Sequence, residues 1–435
     1  MGALNLVPII EKKKCRQRLS DSEIQFWIES LVAGQIPDYQ SAALLMAIRL
    51  NGMDFDETAA LTRAMADSGD RLSFPDYPVL VDKHSTGGIG DKVTIILAPI
   101  LAACGLPVTM LSGRGLGFSG GTIDKFESLT GVSCNVSGAR MRAMLDRCGW
   151  ANAQASDRIA PADRVLYGLR DVTATVDSIP LITASILSKK IAGGAGYLTM
   201  DVKCGASAFM QDEAMARELA ENLRTIGGLG GLSVRGVISR MEEPLGRAVG
   251  NYLELLESVT YLRVPPDEPL MELVLVLGEI MLEQGGITDN CRERMLQKLA
   301  DGTALQRLVD YLRFSGAEEA ALEGLLADSF ANHPRFPLLA DRSGVVTAIA
   351  GRQVGFLLVD WGAGRRVVTD RLDPLAGVVL EKQVGERVEA GDVLAWIYGT
   401  RPHSDPEDAK NKLRACFSLG ESGGSESRPI ILHSF

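Results

Sequence analysis

The sequence predicts an α/β protein: a helical unit, a larger mixed α/β unit, and a β-rich C-terminal part. Three observations predict it. The first 70 or so residues carry helix punctuation alone, the next stretch alternates strand, glycine loop and helix, and the stretch from Ser343 reads as short strands with glycine turns. With 435 residues, the chain has room for two or three domains and a sizeable core.

In order, "LSDSEIQFWIESLVAG" opens on a capping box, Ser20 with Glu23, and closes at Gly34. "DYQSAALLMAIRLNG" closes near Gly52, and "DFDETAALTRAMADSG" repeats the scheme with Asp54, Glu57 and Gly69. "YPVLVDKHSTGGIGDKVTIIL" begins the strand–loop–helix alternation, which runs to about residue 150 and implies a largely parallel sheet. Residues 93–111 are uncharged throughout and approach the length of a membrane span. Pro99, Gly105 and Pro107 break that run, so a buried helix ending near Gly105 and a buried strand "PVTMLS" account for it. A second helical passage covers about 161–192, and "GYLTMDVKCGASAFM" restarts as a strand at 197–204. Helices dominate about 247–330. Short strands follow through "GVVLEKQVGERVEAGDVLAWIYG", and residues 403–435 read as a loosely held tail.

Composition narrows the function. The net charge of −10 is spread without long single-sign runs, which argues against a nucleic-acid or membrane-surface role. Seven scattered cysteines without a CxxC pair read as reduced thiols. Apolar residues precede the basic cluster at the N-terminus, the wrong order for a secretory signal, so a soluble cytoplasmic protein is expected.

Two glycine loops attract attention. In "VDKHSTGGIGDK", a strand leads into Lys83, His84, Ser85 and Thr86, then three glycines and a helix. Glycines let backbone approach an anion, and a helix N-terminus offers free N–H groups, to which Lys83, Ser85 and Thr94 add a charge and hydroxyls. An anion site and an ordinary glycine turn both fit this pattern. The second loop, "MLSGRGLGFSGGTIDKFES", also follows a buried strand and carries Ser112, Arg114, Ser119 and Thr122. Loops after neighbouring parallel strands meet at one sheet edge, where ligands bind. For Arg114 a structural ion pair with Asp124 or Glu127 is the preferred reading. A third cluster lies in "YGLRDVTATVDSIPLITASILSKK". If 181–190 is helical, Ile182, Ser185, Ile186 and Lys189 share one face, which suits a flat heterocycle with polar edges. A buried amphipathic helix with Lys189 reaching to water fits too.

Together with "DVKCGASAFM", "EEPLGRAVGNYLELLE", "IPDYQSAALLMAI" and "VGERVEAGDVLAWIY", these segments resemble the thymidine and pyrimidine-nucleoside phosphorylases over nearly the whole chain. The resemblance implies a helical domain, 1–72 with 161–192 returning to it, facing an α/β domain of 73–160 and 193–335. A β-rich domain of 336–402 follows, and the active-site cleft lies between the first two. It also implies a homodimer pairing through the helical domain, with a pyrimidine nucleoside and phosphate as ligands. By matching position, phosphate would meet Lys83, Ser85, Thr94, Ser112 and Thr122. The pyrimidine would meet Tyr167, Arg170, Ser185 and Lys189, between walls of Leu116, Ile182, Ile186 and Phe209. His84, Arg170 and Lys189 are the expected catalytic groups. For His84 the alternative is that it holds its loop together, and His333, His403 and His433 read as surface residues.

The chain departs from the family at three places. "GFSGG" stands where the family reads Gly-His-Thr-Gly-Gly, so Phe118 replaces a histidine near the sugar, and an altered sugar preference or turnover is expected. "KCGASAFM" lacks a family glycine at Ser207. Some relatives bind potassium through oxygens matching Gly90, Leu245, Ala248 and Glu257 and a hydroxyl matching position 92. Here Lys92 takes that last place, so no cofactor beyond the co-substrate phosphate is expected, with potassium the weaker alternative, and Lys92 is expected to pair with Glu257 in the ion's stead. Two other readings stand beside phosphorolysis: the same family with a shifted nucleoside, and a ligand-binding paralogue without turnover.

Overall fold

The structure is a computed structural model describing residues 5–115, 117–118, 120–154, 156–366, 370–421 and 429–435. Leu116 and Ser119 therefore lie outside the described residues. The N-terminal helices Val7–Lys14, Asp21–Val32, Asp38–Asn51 and Phe55–Ala66 form where the caps predicted them. Ser20 with Glu23 and Asp54 with Glu57 each close a reciprocal capping box, which satisfies helix-end N–H groups that would otherwise face water. Helices Pro161–Val172 and Ile179–Ala192 return to pack on this unit, sharing a core of Trp27, Leu44, Leu61, Leu166 and Leu181.

Strands β1 (Val81–Ser85), β2 (Val108–Ser112), β3 (Trp150–Gln154), β4 (Tyr197–Cys204) and β5 (Ser233–Arg240) form a parallel sheet. Its order is β5-β4-β1-β2-β3, so the winding direction reverses between β1 and β4. The uncharged run of 93–111 resolves as predicted, into helix Val93–Ala103, whose residues 93–102 are all buried, and β2. Helices Pro269–Gln284 and Thr303–Phe314 pack on it in the largest core. Among the described residues no helix is long and apolar enough to cross a membrane.

The C-terminal unit holds β6 (Ala248–Val249), β7 (Arg335–Leu339), β8 (Gly344–Ile349), β9 (Gly377–Leu380), β10 (Arg387–Val388), β11 (Val393–Tyr398) and β12 (Phe417–Gly420) in two antiparallel sheets, ordered β6-β9-β11-β7 and β10-β8-β12. Two expectations are corrected here. Residues Gly351–Trp361, within the stretch read as strands, form a helix; Val354, Leu358 and Trp361 recur at helical spacing and are its buried face. Described parts of the expected loose tail are also structured. Pro406–Arg414 is a helix capped by Asp405, β12 pairs with β8, and β13 (Ile431–Ser434) adds antiparallel to β5 at the edge of the central sheet. Polar composition hid this, because strand pairing needs only main-chain groups.

Three connections join the helical unit to the central sheet, and they are bonded to one another. Asp70 N donates to Arg158 O at 2.6 Å, Leu72 N to Ala192 O at 2.8 Å, and Gly196 N to Leu80 O at 3.2 Å. Gly194 lies at φ +82°, where a Cβ would meet the Leu72 carbonyl oxygen at 2.5 Å.

Candidate active site

The carboxyl ends of β1 and β2 place both glycine loops side by side. Lys83 lies mid-way along β1 and Ser85 ends it, Thr94 is the second residue of the helix after the first loop, Ser112 ends β2, and Thr122 opens helix Thr122–Phe126. All five predicted phosphate residues thus lie toward the carboxyl edge of the sheet, where open α/β sheets bind ligands, and the first loop borders the switch point between β1 and β4. Ser85 Oγ accepts from Gly87 N at 3.1 Å, and Ser112 Oγ donates to Asn152 Oδ1 at 2.5 Å.

The charges around this edge include several that sequence reasoning missed. Lys83 is buried, which pushes its ammonium down, while Asp91 and Asp201 oppose that. Burial opposes ionisation of Asp91, yet Lys83, Lys203, Lys125 and the Ser85 hydroxyl hold its carboxyl well below the usual range. Lys203 lies 2.6 Å from Asp201 Oδ2 as an ion pair without hydrogen-bond geometry, and Lys125 lies 2.7 Å from Glu254 and donates to Asp91 O at 2.6 Å. In the sequence these are ordinary charges between apolar residues; only the fold reveals that they are buried together. Arg114 takes its structural reading, at 2.7 Å from Glu127 and 3.1 Å from Asp124. Asp124 also accepts from Arg365 at 2.7 Å, tying the second loop to the C-terminal unit.

Helix Ile179–Ala192 carries the base-side face. Ile186 and Ser185 are buried on it, and Ile182 and Lys189 half-buried. Lys189 Nζ donates to Asp163 Oδ2, to Ser185 O at 2.6 Å and to Ser185 Oγ at 3.0 Å. Arg170 is buried beneath the loop that precedes this helix. Its three guanidinium nitrogens donate to the carbonyls of Thr175, Leu181 and Val176, so in this structure it shapes the wall rather than projecting freely. Tyr167 stands with its ring 5.8 Å from that guanidinium.

Lys190, next along the helix, reaches the other way and donates to Asp82 Oδ1 at 2.9 Å and Leu111 O at 3.1 Å, clamping the helix to β1 and β2. His84 sits between the two groups. Burial first, then the charges of Lys190, Lys189 and Lys83, hold its imidazole well below its ordinary value. It is therefore neutral near pH 7. Of the remaining histidines, His403 and His433 are exposed, but His333 is half-buried against Asp328 Oδ2 at 2.6 Å.

Phe118 and Phe209 meet at the rim. Phe209 is 38% exposed and lies beside Gly87. The sequence reading put Phe118 in contact with ligand, but its ring is turned into the junction with the C-terminal unit. It is 5.1 Å from the Phe209 ring, 5.6 Å from Phe356, and 4.8 Å from the Arg352 guanidinium. An aromatic ring lowers its free energy more in that apolar junction than on a wet rim.

Lys92 is fully buried. Its Nζ donates to Leu245 O at 2.7 Å and Ala248 O at 3.0 Å and lies 2.7 Å from Glu257 Oε2. Those oxygens already hold a full positive charge, so the residues present do not fit a potassium ion as well. Gly90, at φ +77°, brings the first loop against the same segment, where a Cβ would meet Leu245 O at 2.5 Å.

The structure thus sets a helical bundle beside an α/β sheet, with the two glycine loops of β1 and β2 on one side and helix Ile179–Ala192 on the other. The chain matches the glycosyl transferase family helical bundle domain over residues 7–69, the glycosyl transferase family a/b domain over 77–305, and the pyrimidine nucleoside phosphorylase C-terminal domain over 345–420. It is 39% identical to pyrimidine-nucleoside phosphorylase of Staphylococcus aureus strain MSSA476, and 38% to that of strain RF122, in each case over 99% of both chains. The chain belongs to the pyrimidine-nucleoside phosphorylase family. Its fold also resembles anthranilate phosphoribosyltransferase from Thermus thermophilus, with a TM-score of 0.55, 21% identity, and coverage of 70% of this chain and 98% of that one.

Proposed function

We propose that the protein catalyses the reversible phosphorolysis of pyrimidine nucleosides, thymidine, deoxyuridine and uridine among them, to free base and (deoxy)ribose 1-phosphate. The observation that carries this is the convergence on His84. Lys190 donates to Asp82 Oδ1 at 2.9 Å and to Leu111 O at 3.1 Å, which sets the helix carrying Ser185 and Lys189 against the strand carrying Lys83 and His84, so the base-suited face and the phosphate-suited edge meet at one imidazole.

A phosphate oxygen held by Lys83, Ser85, Thr94, Ser112 and Thr122 attacks C1′ from the face opposite the base, with inversion. The C1′–N1 bond breaks with its electron pair passing to the ring, which leaves as an anion and later takes a proton. Lys189 and Ser185 meet the ring's polar edge, and Arg170 adds positive potential from beneath. Fixed charges placed where charge develops supply several kcal/mol in such sites. Neutral His84 donates a hydrogen bond to the base carbonyl beside the breaking bond. Tyr167, Ile182, Ile186 and Phe209 wall the ring, and an effect of Phe118 on sugar choice would pass through Phe209. In this reading no metal is needed, because Lys92 stands where a monovalent cation would.

The protein is further read as a cytoplasmic homodimer pairing through its helical unit, whose surface leaves Tyr39 and Leu50 exposed. The test is release of free base from thymidine, deoxyuridine, uridine and cytidine, with and without phosphate, in potassium and in choline buffer. Phosphate-dependent release at equal rates in both buffers is expected. No release from any nucleoside by folded protein would sink the reading, and a requirement for potassium would remove the role given to Lys92.

A further inference from the structure

An ammonium has three protons to donate, and those of Lys189 are all committed, to Asp163 Oδ2 and to the carbonyl and hydroxyl of Ser185. Two consequences follow. Ser185 Oγ, accepting from Lys189, keeps its own proton for a ligand. Lys189 in turn can bond a ligand only by giving up one of three acceptors, and a neutral Ser185 oxygen is released more cheaply than a buried carboxylate.

Asp163 is built into place. It lies in the first turn of helix Pro161–Val172, only 6% exposed, after Ala160, which adopts a left-handed φ of +46°. Its main-chain N donates to Ala160 O at 2.9 Å, and the neighbouring Ala162 N donates to Ser68 Oγ at 3.2 Å. Its second oxygen, Oδ1, is buried without a hydrogen-bond partner. A buried carboxylate with a bare oxygen is a cost to folding. Core packing alone gives no reason to keep a carboxylate there, and the charges around it do. Besides bonding Lys189, Asp163 lies close enough to Arg170 and Tyr167 to act on both electrostatically.

We propose that Asp163 is a positioning residue, holding the Lys189 ammonium against Ser185 so that it faces the negative charge that appears on the departing base. The proposal rests on the phosphorolysis reading, because it concerns a leaving anion. It predicts that losing the carboxylate matters most when the base leaves poorly.

The test uses the full chain and deoxyuridine nucleosides whose 5-substituents, from hydrogen through fluoro to nitro, make the base a progressively better leaving group. Asp163→Asn should lower kcat on deoxyuridine by about 10–100-fold while KM moves less than about 3-fold, and the deficit should shrink steadily toward the nitro compound. Asp163→Glu should recover part of the rate. In a Lys189→Met background, adding Asp163→Asn should change little, because the group it positions is gone. An equal loss across all leaving groups, or a full additive loss in the Lys189→Met background, overturns the proposal while leaving phosphorolysis intact. A wild type that releases no base overturns both. If Asp163→Asn does not fold, Lys189→Met alone carries the comparison, and the absence of a leaving-group trend there counts against the proposal.

Discussion

His84 shows how far a residue's chemistry depends on its neighbours. Its place in the motif is legible in the sequence, but its charge state is not, because that comes from burial and from Lys190, Lys189 and Lys83. A histidine with its folded value lowered gains its proton only well into acid. An acid role would therefore confine activity to low pH, whereas a neutral donor works throughout. Turnover should show no limb from His84 between about pH 6 and 8, and His84→Asn should lower kcat without changing the profile there. A wild-type acid limb near 6.5 that His84→Asn abolishes would restore the acid role. The same shift ties stability to pH. The neutral imidazole contributes stability that is fully present above about pH 6.5 and declines as pH falls toward the lowered folded value. Lys83, Ser185 and Lys189 were legible because they sit in long motifs. Asp91, Lys125 and Lys203 were not, although they stand in quoted motifs, and neither was Asp163, because a charge in sequence looks the same whether it ends in solvent or in a buried pair.

Among elements, the helix Gly351–Trp361 is the instructive miss. Its "VGFLLVDW" is as rich in strand-formers as the strands around it, and only the helical spacing of Val354, Leu358 and Trp361, which form its buried face, sets it apart. The surface it covers includes Phe118, whose backbone oxygen lies where a Cβ on Gly355 would have to go. The second loop is thus held by the C-terminal unit through packing at Phe118 and through the Arg365–Asp124 ion pair. Phe118→His would bury an imidazole among Phe209, Phe356 and Ile89 and should cost about 1–3 kcal/mol of stability. Urea unfolding measures it. An unchanged midpoint, with a changed ribose-to-deoxyribose ratio, would return Phe118 to direct contact with the sugar.

At the scale of the molecule, most of the architecture was legible. Capping boxes, the helix–strand split of 93–111 and the strand at 197–204 all follow from local patterns. The path of the last residues was not, because β13 is defined by the partner it finds. It covers the edge of β5, with Ile431 and His433 paired to Ser239 and Ile238 and Gly236 bonded both ways to Phe435. Removing residues 429–435 would bare that edge and the apolar contacts of Ile430, Leu432 and Phe435. A loss of about 2–4 kcal/mol and a tendency to associate are expected. Thermal unfolding and light scattering check it, and an unaltered, monodisperse truncation would show that the strand is dispensable. The three laced connections carry a mechanical consequence. Two bodies joined by a single thread can slide, twist and swing, and each tie between one thread and another takes some of that freedom away. With the Lys190 bonds to Asp82 and Leu111 added, the ties fix where the helix carrying Lys189 and Ser185 stands relative to the strand carrying Lys83 and His84.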